Sequence, residues 1–278
     1  MEKALSAVLA AYGGAALSSD PVEFPHRFRS GPDIEAAAFI SAAFAFGNVP
    51  QIKAFLARLF DALGPSPHAA LTGRGSFPPE GISPLRHRFI SPAGVRRFLR
   101  CVRAAYLAHG TLEALYRRGI DDAGTGAREW LSRFLAWFRG EWGGAFPRER
   151  DFLFPDPWKG SACKRHNLFL RWMVRGGDGV DLGIWTALSP RDLIVPLDTH
   201  MARLGRWMGL TKRCAADWKA AEEITAAFRS VCPEDPVRFD FALTRIGILK
   251  ECTLLRAGEC NRCAIAGACI RRRLPGRF

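Results

Sequence analysis

Apolar residues recur at intervals of three and four along nearly the whole chain, and no stretch alternates cleanly between apolar and polar positions. Intervals of three and four are typical of amphipathic helices. Alternation is typical of half-buried strands, and the sequence lacks it. The chain therefore predicts an all-α fold. Residues 33–46, D-I-E-A-A-A-F-I-S-A-A-F-A-F, are apolar on nearly every side and predict a central buried helix.

Proline, glycine and capping residues indicate where the predicted helices begin and end. An amphipathic helix is expected at the N-terminus, and Gly, Pro and Ser make residues 64–84 a predicted loop or lid. Residues 143–160 are predicted to be irregular. The other predicted helices cover residues 32–46, 50–63, 92–118, 126–139, 161–175, the segment after Asp198, 217–231 and 236–250.

Residues 190–210, P-R-D-L-I-V-P-L-D-T-H-M-A-R-L-G-R-W-M-G-L, predict a change from extended chain to helix. Pro196 disfavours helix at the residue before it, and Asp198 or Thr199 can cap the helix that follows. Met201 begins an apolar stripe on that helix, so Asp198 is expected at its N-terminal end. Helix capping alone explains this carboxylate, and a catalytic role is the alternative.

Four of the eight cysteines are crowded near the C-terminus as Cys252, Cys260, Cys263 and Cys269, in the pattern C-x7-C-x2-C-x5-C. Thiolates at this spacing indicate a metal site, either a 4Fe-4S cluster or structural zinc. Their loop-like spacing after the last predicted helix favours the cluster. The crowding is unlike an extracellular disulfide framework, so a cytoplasmic protein is expected.

The chain of 278 residues has 40 Lys and Arg against 27 Asp and Glu, a formal charge of +13. This charge favours a polyanionic partner, with nucleic acid ahead of an anionic membrane surface. No apolar run has the length of a transmembrane helix. The N-terminus imitates a signal peptide, but Glu2 and the pair Gly13 and Gly14 argue against export.

The segment L-D-T-H-M-A-R-L at residues 197–204, followed by the cysteine pattern, resembles the helix-hairpin-helix DNA glycosylase superfamily, the endonuclease III and MutY group. The resemblance covers roughly the C-terminal half of the chain. It implies that Asp198 is the catalytic aspartate and that the four cysteines hold a 4Fe-4S cluster, although the first gap is one residue longer than in that family. The segments P-W-K-G-S-A-C-K-R-H-N-L-F-L-R-W-M-V-R and F-P-H-R-F are also similar to bacterial proteins catalogued as a domain of unknown function.

The turn P-W-K-G-S stands where the superfamily has its DNA-gripping hairpin, and Gly160 matches one of the hairpin glycines. The resemblance implies that Lys159, Gly160 and Ser161 contact DNA phosphate, as the N-terminal end of a helix can. It also implies that Lys164, on the helix after the hairpin, is the nucleophile of a bifunctional enzyme. Lys159 is the competing candidate, and a solvated or phosphate-bound Lys164 is the ordinary alternative.

Further DNA contacts are expected on both sides of this segment. Asn48 and Gln51, at a helix–helix junction, can fill the gap left by an extruded base or can be ordinary solvated amides. His200 is expected to be a structural or phosphate contact rather than a base. Four arginines beside the cysteines can present positive charge to phosphates; they are Arg256, Arg262, Arg272 and Arg273.

The expected protein is a monomeric bacterial DNA glycosylase with AP-lyase activity, bound to duplex DNA in the cytoplasm. By analogy with the superfamily, the expected damaged base is an oxidised guanine. The alternatives are a catalytically silent protein that recognises DNA or RNA structure, and a redox sensor supported only by the cysteines. Two lobes are expected within residues 1–250, divided at about 140–160, followed by a cluster loop and basic tail over 251–278.

Overall fold

The computed structural model describes residues 1–12, 17, 20–123, 126–248 and 263–270. Over these residues the fold is helical and contains no β-strand, which confirms the all-α prediction. No helix in the described ranges is long and apolar enough to cross a membrane. The α-helices are α1 (Glu2–Tyr12), α2 (Gly31–Ala43), α3 (Val49–Leu63), α4 (Pro67–Thr72), α5 (Pro92–His109), α6 (Leu112–Ala123), α7 (Ala127–Trp142), α8 (Pro147–Leu153), α9 (Lys164–Val174), α10 (Thr199–Trp207), α11 (Trp218–Arg229) and α12 (Asp240–Ile248).

Two predicted helices have different bounds because of left-handed backbone positions. The pattern over 92–118 is divided into α5 and α6, because Gly110 takes a φ of 78° and ends α5. The helix predicted from Ser161 begins at Lys164, because Cys163 has a φ of 47° and interrupts the helical path. Lys164 is therefore the first residue of α9 and does not lie one turn inside it.

Two segments predicted to be irregular contain short helices. The predicted loop or lid at 64–84 includes α4 and a 3₁₀ turn at Glu80–Ile82, and residues 143–160 include α8. Ser66 caps α4 by accepting a hydrogen bond from the backbone N–H of Ala69 at 3.1 Å. The Ser-Pro start is a helix signal that the abundance of glycine and proline in this segment masked.

The helices divide into two compact units that interleave along the sequence. The α2–α8 unit comprises the described residues within 17–161 and 172–188. The α10–α12 unit comprises those within 1–16, 162–171 and 189–278, so it also holds α1 and the first part of α9. The chain passes between units at 161–162, next to the expected boundary, and then passes back for residues 172–188.

Helix α2 is the centre of the α2–α8 unit, as its apolar sequence predicts, and is buried from Glu35 to Ala43. The Phe39 ring stacks on Phe138 at a centroid distance of 5.1 Å and on Phe98 at 5.8 Å. Phe138 in turn stacks on Phe154 at 4.9 Å. These rings join α2, α5 and α7 into one aromatic core, since large rings bury the most apolar area per residue.

A buried carboxylate fixes the start of α6 in the same unit. Glu35 accepts hydrogen bonds from the backbone N–H groups of Leu112 at 2.9 Å and Glu113 at 3.1 Å, and from Trp185 Nε1 at 2.7 Å. Burial raises the pKa of Glu35, while these donors favour its charged form. The carboxylate satisfies N–H groups that the first turn of α6 leaves open, so its role is structural.

In the α10–α12 unit, helix α10 packs closely against α11. A Cβ at Gly205 would lie 2.6 Å from Ile224 Cδ1, so a larger residue here would require the Ile224 side chain to shift. Thr225 of α11 donates to Ala221 O at 2.6 Å and accepts from the backbone N–H of Val195 at 3.0 Å. The second bond fixes the extended chain that leads into α10.

Candidate functional site

Asp198 is the N-terminal cap of α10, as its sequence context predicts. Its Oδ1 accepts a hydrogen bond from the backbone N–H of Met201 at 2.7 Å. The preceding residues Leu193, Val195 and Leu197 are buried, whereas Asp198 is half-buried. Burial of the apolar lead-in places the carboxylate at the helix end, where the partial positive charge of the helix stabilises an anion.

Lys164 is half-buried at the start of α9, on a turn held by local hydrogen bonds. The Asn167 side chain donates Nδ2 to Ala162 O at 3.0 Å, and the Asn167 backbone N–H donates to Cys163 O at 3.0 Å. Ala162, Cys163 and Asn167 are buried. The backbone that presents Lys164 is therefore defined by buried residues on both sides of it.

Asp240, the first residue of α12, is a buried carboxylate that sequence reasoning missed. It is only 4% exposed and forms an ion pair with the equally buried Arg171 of α9. Its second oxygen, Oδ1, has no hydrogen-bond partner among the described residues. A buried acceptor without a partner is unusual in a folded protein, and such atoms are frequent in sites that bind or react.

The electrostatics of Asp240 link it to both predicted catalytic residues. Burial raises the pKa of Asp240 to about 6; Arg171 opposes this rise, Asp198 adds to it, and Lys164 opposes it. The native carboxyl keeps its proton to higher pH than the unfolded one. Its contribution to folding stability is therefore present below pH 3.8 and is lost as the pH rises from 3.8 to about 6. We call these three residues, Lys164, Asp198 and Asp240, the lysine–aspartate cluster.

His200 lies two residues after Asp198 and packs against α12 in the same unit. A Cβ at Gly247 would lie 2.9 Å from His200 Cγ, so glycine at 247 makes room for the imidazole. The Nδ1 atom of His200 is buried without a hydrogen-bond partner in the described part of the chain. This packing supports the structural interpretation of His200, and its phosphate contact stays a prediction.

Of the predicted hairpin residues, Lys159 ends a 3₁₀ turn at Pro157–Lys159, and Gly160 and Ser161 follow it. Asp156 caps the turn by accepting from the Trp158 backbone N–H at 2.9 Å. Lys159 and Gly160 are exposed, Gly160 has a φ of 88°, and Ser161 is half-buried. All three belong to the α2–α8 unit, whereas Lys164 belongs to the α10–α12 unit.

Asn48 has a structural function that its sequence position did not reveal. Its side chain caps α3 by accepting a hydrogen bond from the backbone N–H of Gln51 at 2.9 Å. Both Asn48 and Gln51 are exposed in the α2–α8 unit. Capping explains Asn48 without a ligand, and the role of either residue beside an extruded base stays a prediction.

Only part of the cysteine pattern falls on described residues. Cys263 and Cys269 lie on one short turn-rich segment, and both are half-buried. Within the described ranges, no three His, Cys, Asp or Glu residues are grouped to hold a metal ion. The remaining predicted residues, Cys252, Cys260, Arg256, Arg262, Arg272 and Arg273, lie outside the described residues.

An exposed aromatic residue on a basic turn is a further feature that sequence reasoning missed. Phe89 is 54% exposed at a tight turn in which His87 and Ile90 exchange backbone hydrogen bonds of 2.9 and 3.1 Å. Its ring contacts Phe152 at a centroid distance of 4.6 Å. We call residues 86–90 the aromatic tip. Its sequence, R-H-R-F-I, has two arginines beside the phenylalanine, and this was the available signal.

Comparison with known proteins identifies a family without naming an activity. A family model described as protein of unknown function DUF2400 matches residues 20–249, which include the whole lysine–aspartate cluster. The match ends before Cys252, so the cysteine pattern lies outside it. No curated protein and no solved structure matches the chain. The match agrees with the resemblance to a domain of unknown function, and the glycosylase resemblance stays a prediction.

The close approach of α12 to His200 generates a stability prediction. We expect Gly247→Ala to lower the free energy of unfolding by about 1–3 kcal/mol, because the added methyl must displace the imidazole ring. Gly140→Ala is the matched control, since Gly140 lies in α7 with open space around its Cβ direction. It should raise stability by about 0.5–1 kcal/mol. Urea unfolding followed by circular dichroism measures both; equal effects would contradict the packing argument.

Proposed function

The chain belongs to the DUF2400 family of unknown function, and from that premise we propose that it is a DNA base-excision glycosylase with AP-lyase activity. The observation that carries the proposal is the lysine–aspartate cluster, in which Lys164 and Asp198 both act electrostatically on the buried Asp240. Cleavage of an N-glycosidic bond through a covalent intermediate needs an amine nucleophile and a nearby carboxylate. The formal charge of +13 favours DNA as the substrate that contains this glycosidic bond.

The proposed reaction begins with Lys164 as the free amine. Its nitrogen lone pair forms a bond to C1′ of the damaged nucleotide, and the electron pair of the glycosidic bond leaves with the base, which takes up a proton. Loss of a proton from nitrogen and opening of the sugar ring give a Schiff base. Abstraction of a proton from C2′ then expels the 3′ phosphate by β-elimination, which is the lyase step.

In this proposal the two carboxylate oxygens of Asp198 have different roles: one caps α10 and the other takes part in the reaction. Oδ1 is engaged by the Met201 N–H, which holds the carboxylate in place. Oδ2 is then available to take the proton that the lysine nitrogen loses after it has bonded to C1′, and to stabilise the positive charge that develops on the sugar. Helix capping and catalysis are therefore compatible roles of the same side chain.

Asp240 is proposed as a positioning residue that acts through its neighbours. It is paired with Arg171 and almost fully enclosed, so direct contact with a nucleotide is not required of it. Its ion pair with Arg171 joins α12 to α9, the helix that begins at Lys164. The damaged base itself is proposed, by analogy with the superfamily, to be an oxidised guanine.

The first prediction concerns the covalent intermediate. Borohydride should trap a protein–DNA adduct with the wild type on a suitable lesion duplex, and Lys164→Gln should abolish it. Asp198→Asn should slow excision by about 10²-fold, because it removes the charge while asparagine still caps α10. Stopped-time gel assays across a panel of lesion duplexes measure both effects.

Lys159→Gln is the matched control for the nucleophile, since Lys159 is exposed on the neighbouring turn. It should keep the adduct. If Lys159→Gln abolishes trapping and Lys164→Gln does not, the nucleophile is assigned to the wrong lysine. If both variants excise the base without an adduct, the enzyme uses water with Asp198 and has no lyase step.

A 4Fe-4S cluster is proposed at Cys252, Cys260, Cys263 and Cys269, and it would supply structure to the C-terminal segment. The support is the spacing of the four cysteines, two of which, Cys263 and Cys269, lie half-buried on one short segment. No step of the proposed reaction passes through it. The alternative occupant is a structural zinc ion.

Protein purified without oxygen should be brown and contain about four iron and four sulfide per chain. Cys263→Ser should lose most of the iron, because one of four ligands is removed. Cys214→Ser is the control, since Cys214 is an exposed thiol outside the pattern and its replacement should leave the iron content unchanged. Elemental analysis that finds zinc without iron would contradict the cluster.

A second candidate function, binding to nucleic-acid structure without catalysis, is favoured by the aromatic tip. Phe89 is exposed directly after Arg88, and neither Arg86 nor Arg88 has an ion pair with a carboxylate in the described residues. Exposed aromatic rings beside cations suit unpaired bases, because stacking contributes roughly 1–3 kcal/mol per base. The aromatic tip is also compatible with the enzyme, so excision decides between the two functions.

Phe89→Ala should weaken binding to bubble DNA by about tenfold, in line with the loss of one stacked base. Phe146→Ala is the matched control, since Phe146 is 46% exposed and lies outside the aromatic tip. It should leave affinity unchanged. Fluorescence anisotropy at fixed salt measures both. Equal affinities for the two variants would exclude stacking by Phe89, and Phe89-dependent binding with no excision of any lesion would favour the binding protein.

A further inference from the structure

A cavity of about 360 Å³ lies within the α2–α8 unit, where the end of α5 meets α6 and α7. Its volume is in the range of pockets that hold small molecules, roughly 300–1,000 Å³. Neither the lysine–aspartate cluster nor the aromatic tip contributes to it. Its lining includes His109, Arg118, Gly119, Arg133, Phe134 and Trp137.

The cavity is formed between two closely packed helices. A Cβ at Gly119 of α6 would lie 3.3 Å from Trp130 O and 3.5 Å from Arg133 Cβ, both on α7. The Trp137 ring contacts His109 edge to face, with ring centroids 5.3 Å apart. The wall beside His109 is therefore aromatic, which suits a flat apolar group.

His109 brings an unsatisfied polar atom to this cavity. Its Nε2 is buried and has no hydrogen-bond partner among the residues that the structure describes. Burial lowers the pKa of His109, and the nearby positive charge of Arg118 lowers it further. The neutral imidazole is thus favoured, and its Nε2 is left for a group that the described residues do not supply.

Two arginines give the cavity a positive rim. Arg133 Nε donates to Glu129 Oε1 at 2.9 Å, and the second oxygen of Glu129 accepts from Trp158 Nε1 at 2.9 Å. One carboxylate is therefore shared between two donors. Arg118 is exposed and has no ion pair within the described ranges, so the rim keeps a net positive charge.

We propose that this cavity binds a small organic anion that carries an aromatic ring, and that a nucleoside monophosphate represents this chemical class. The phosphate lies between Arg118 and Arg133, because guanidinium groups pair with phosphate through parallel hydrogen bonds. The ring lies against Trp137, and His109 Nε2 hydrogen-bonds to the ligand. The site does not depend on the proposed glycosylase activity.

Isothermal titration of the full chain with adenosine monophosphate, adenosine and inorganic phosphate tests the proposal without any DNA. The monophosphate should bind at least about tenfold more tightly than adenosine or phosphate alone, since only it uses both the cations and the aromatic wall. Arg118→Glu should weaken its binding by about tenfold or more, through charge repulsion. His109→Ala should weaken it by a smaller factor.

Arg117→Glu is the matched control, because Arg117 is the exposed neighbour on α6 and does not line the cavity. It makes the same charge change and should keep the affinity of the wild type. Circular dichroism confirms that each variant is folded, and Arg118→Gln replaces Arg118→Glu if it is not. The proposal is overturned if the wild type does not bind the monophosphate at about 5 mM, or if Arg117→Glu and Arg118→Glu weaken binding equally.

Discussion

The ion pair between Arg171 and Asp240 is the interaction on which the α10–α12 unit and its candidate site both depend. Both side chains are almost completely buried, so each charge needs the other to offset the loss of water. The pair joins α9 to the first residue of α12. Lys164 and Asp198 both act electrostatically on this same buried carboxylate.

Several polar residues in this protein have a structural explanation that does not exclude a functional one. Asp198 and Asn48 both cap helices through one side-chain oxygen. Asp198, however, also acts electrostatically on the buried Asp240, whereas Asn48 is exposed at a helix end. Their electrostatic surroundings, rather than the capping bond, distinguish a candidate catalytic residue from an ordinary cap.

Local sequence signals predicted the helices well where nothing interrupted the backbone. The apolar run of α2 identified a buried helix because burial on every side leaves no polar stripe in the sequence. The signals were wrong where a single residue took a left-handed conformation, as at Gly110 and Cys163. They were also wrong for α4, where the overall abundance of glycine and proline outweighed one short Ser-Pro cap.

The sequence by itself determined four properties: the helical class, the capping position of Asp198, the spacing of the four cysteines and the strong positive charge. Each of them depends on composition or on residues that are close together in the chain. Only the tertiary structure decided that Asp240 is buried beside Arg171 and that Lys164 and Asp198 act on it electrostatically. The same holds for the cavity beside His109. Burial and electrostatic coupling join residues that are distant in the chain, and no local pattern encodes which of them will meet.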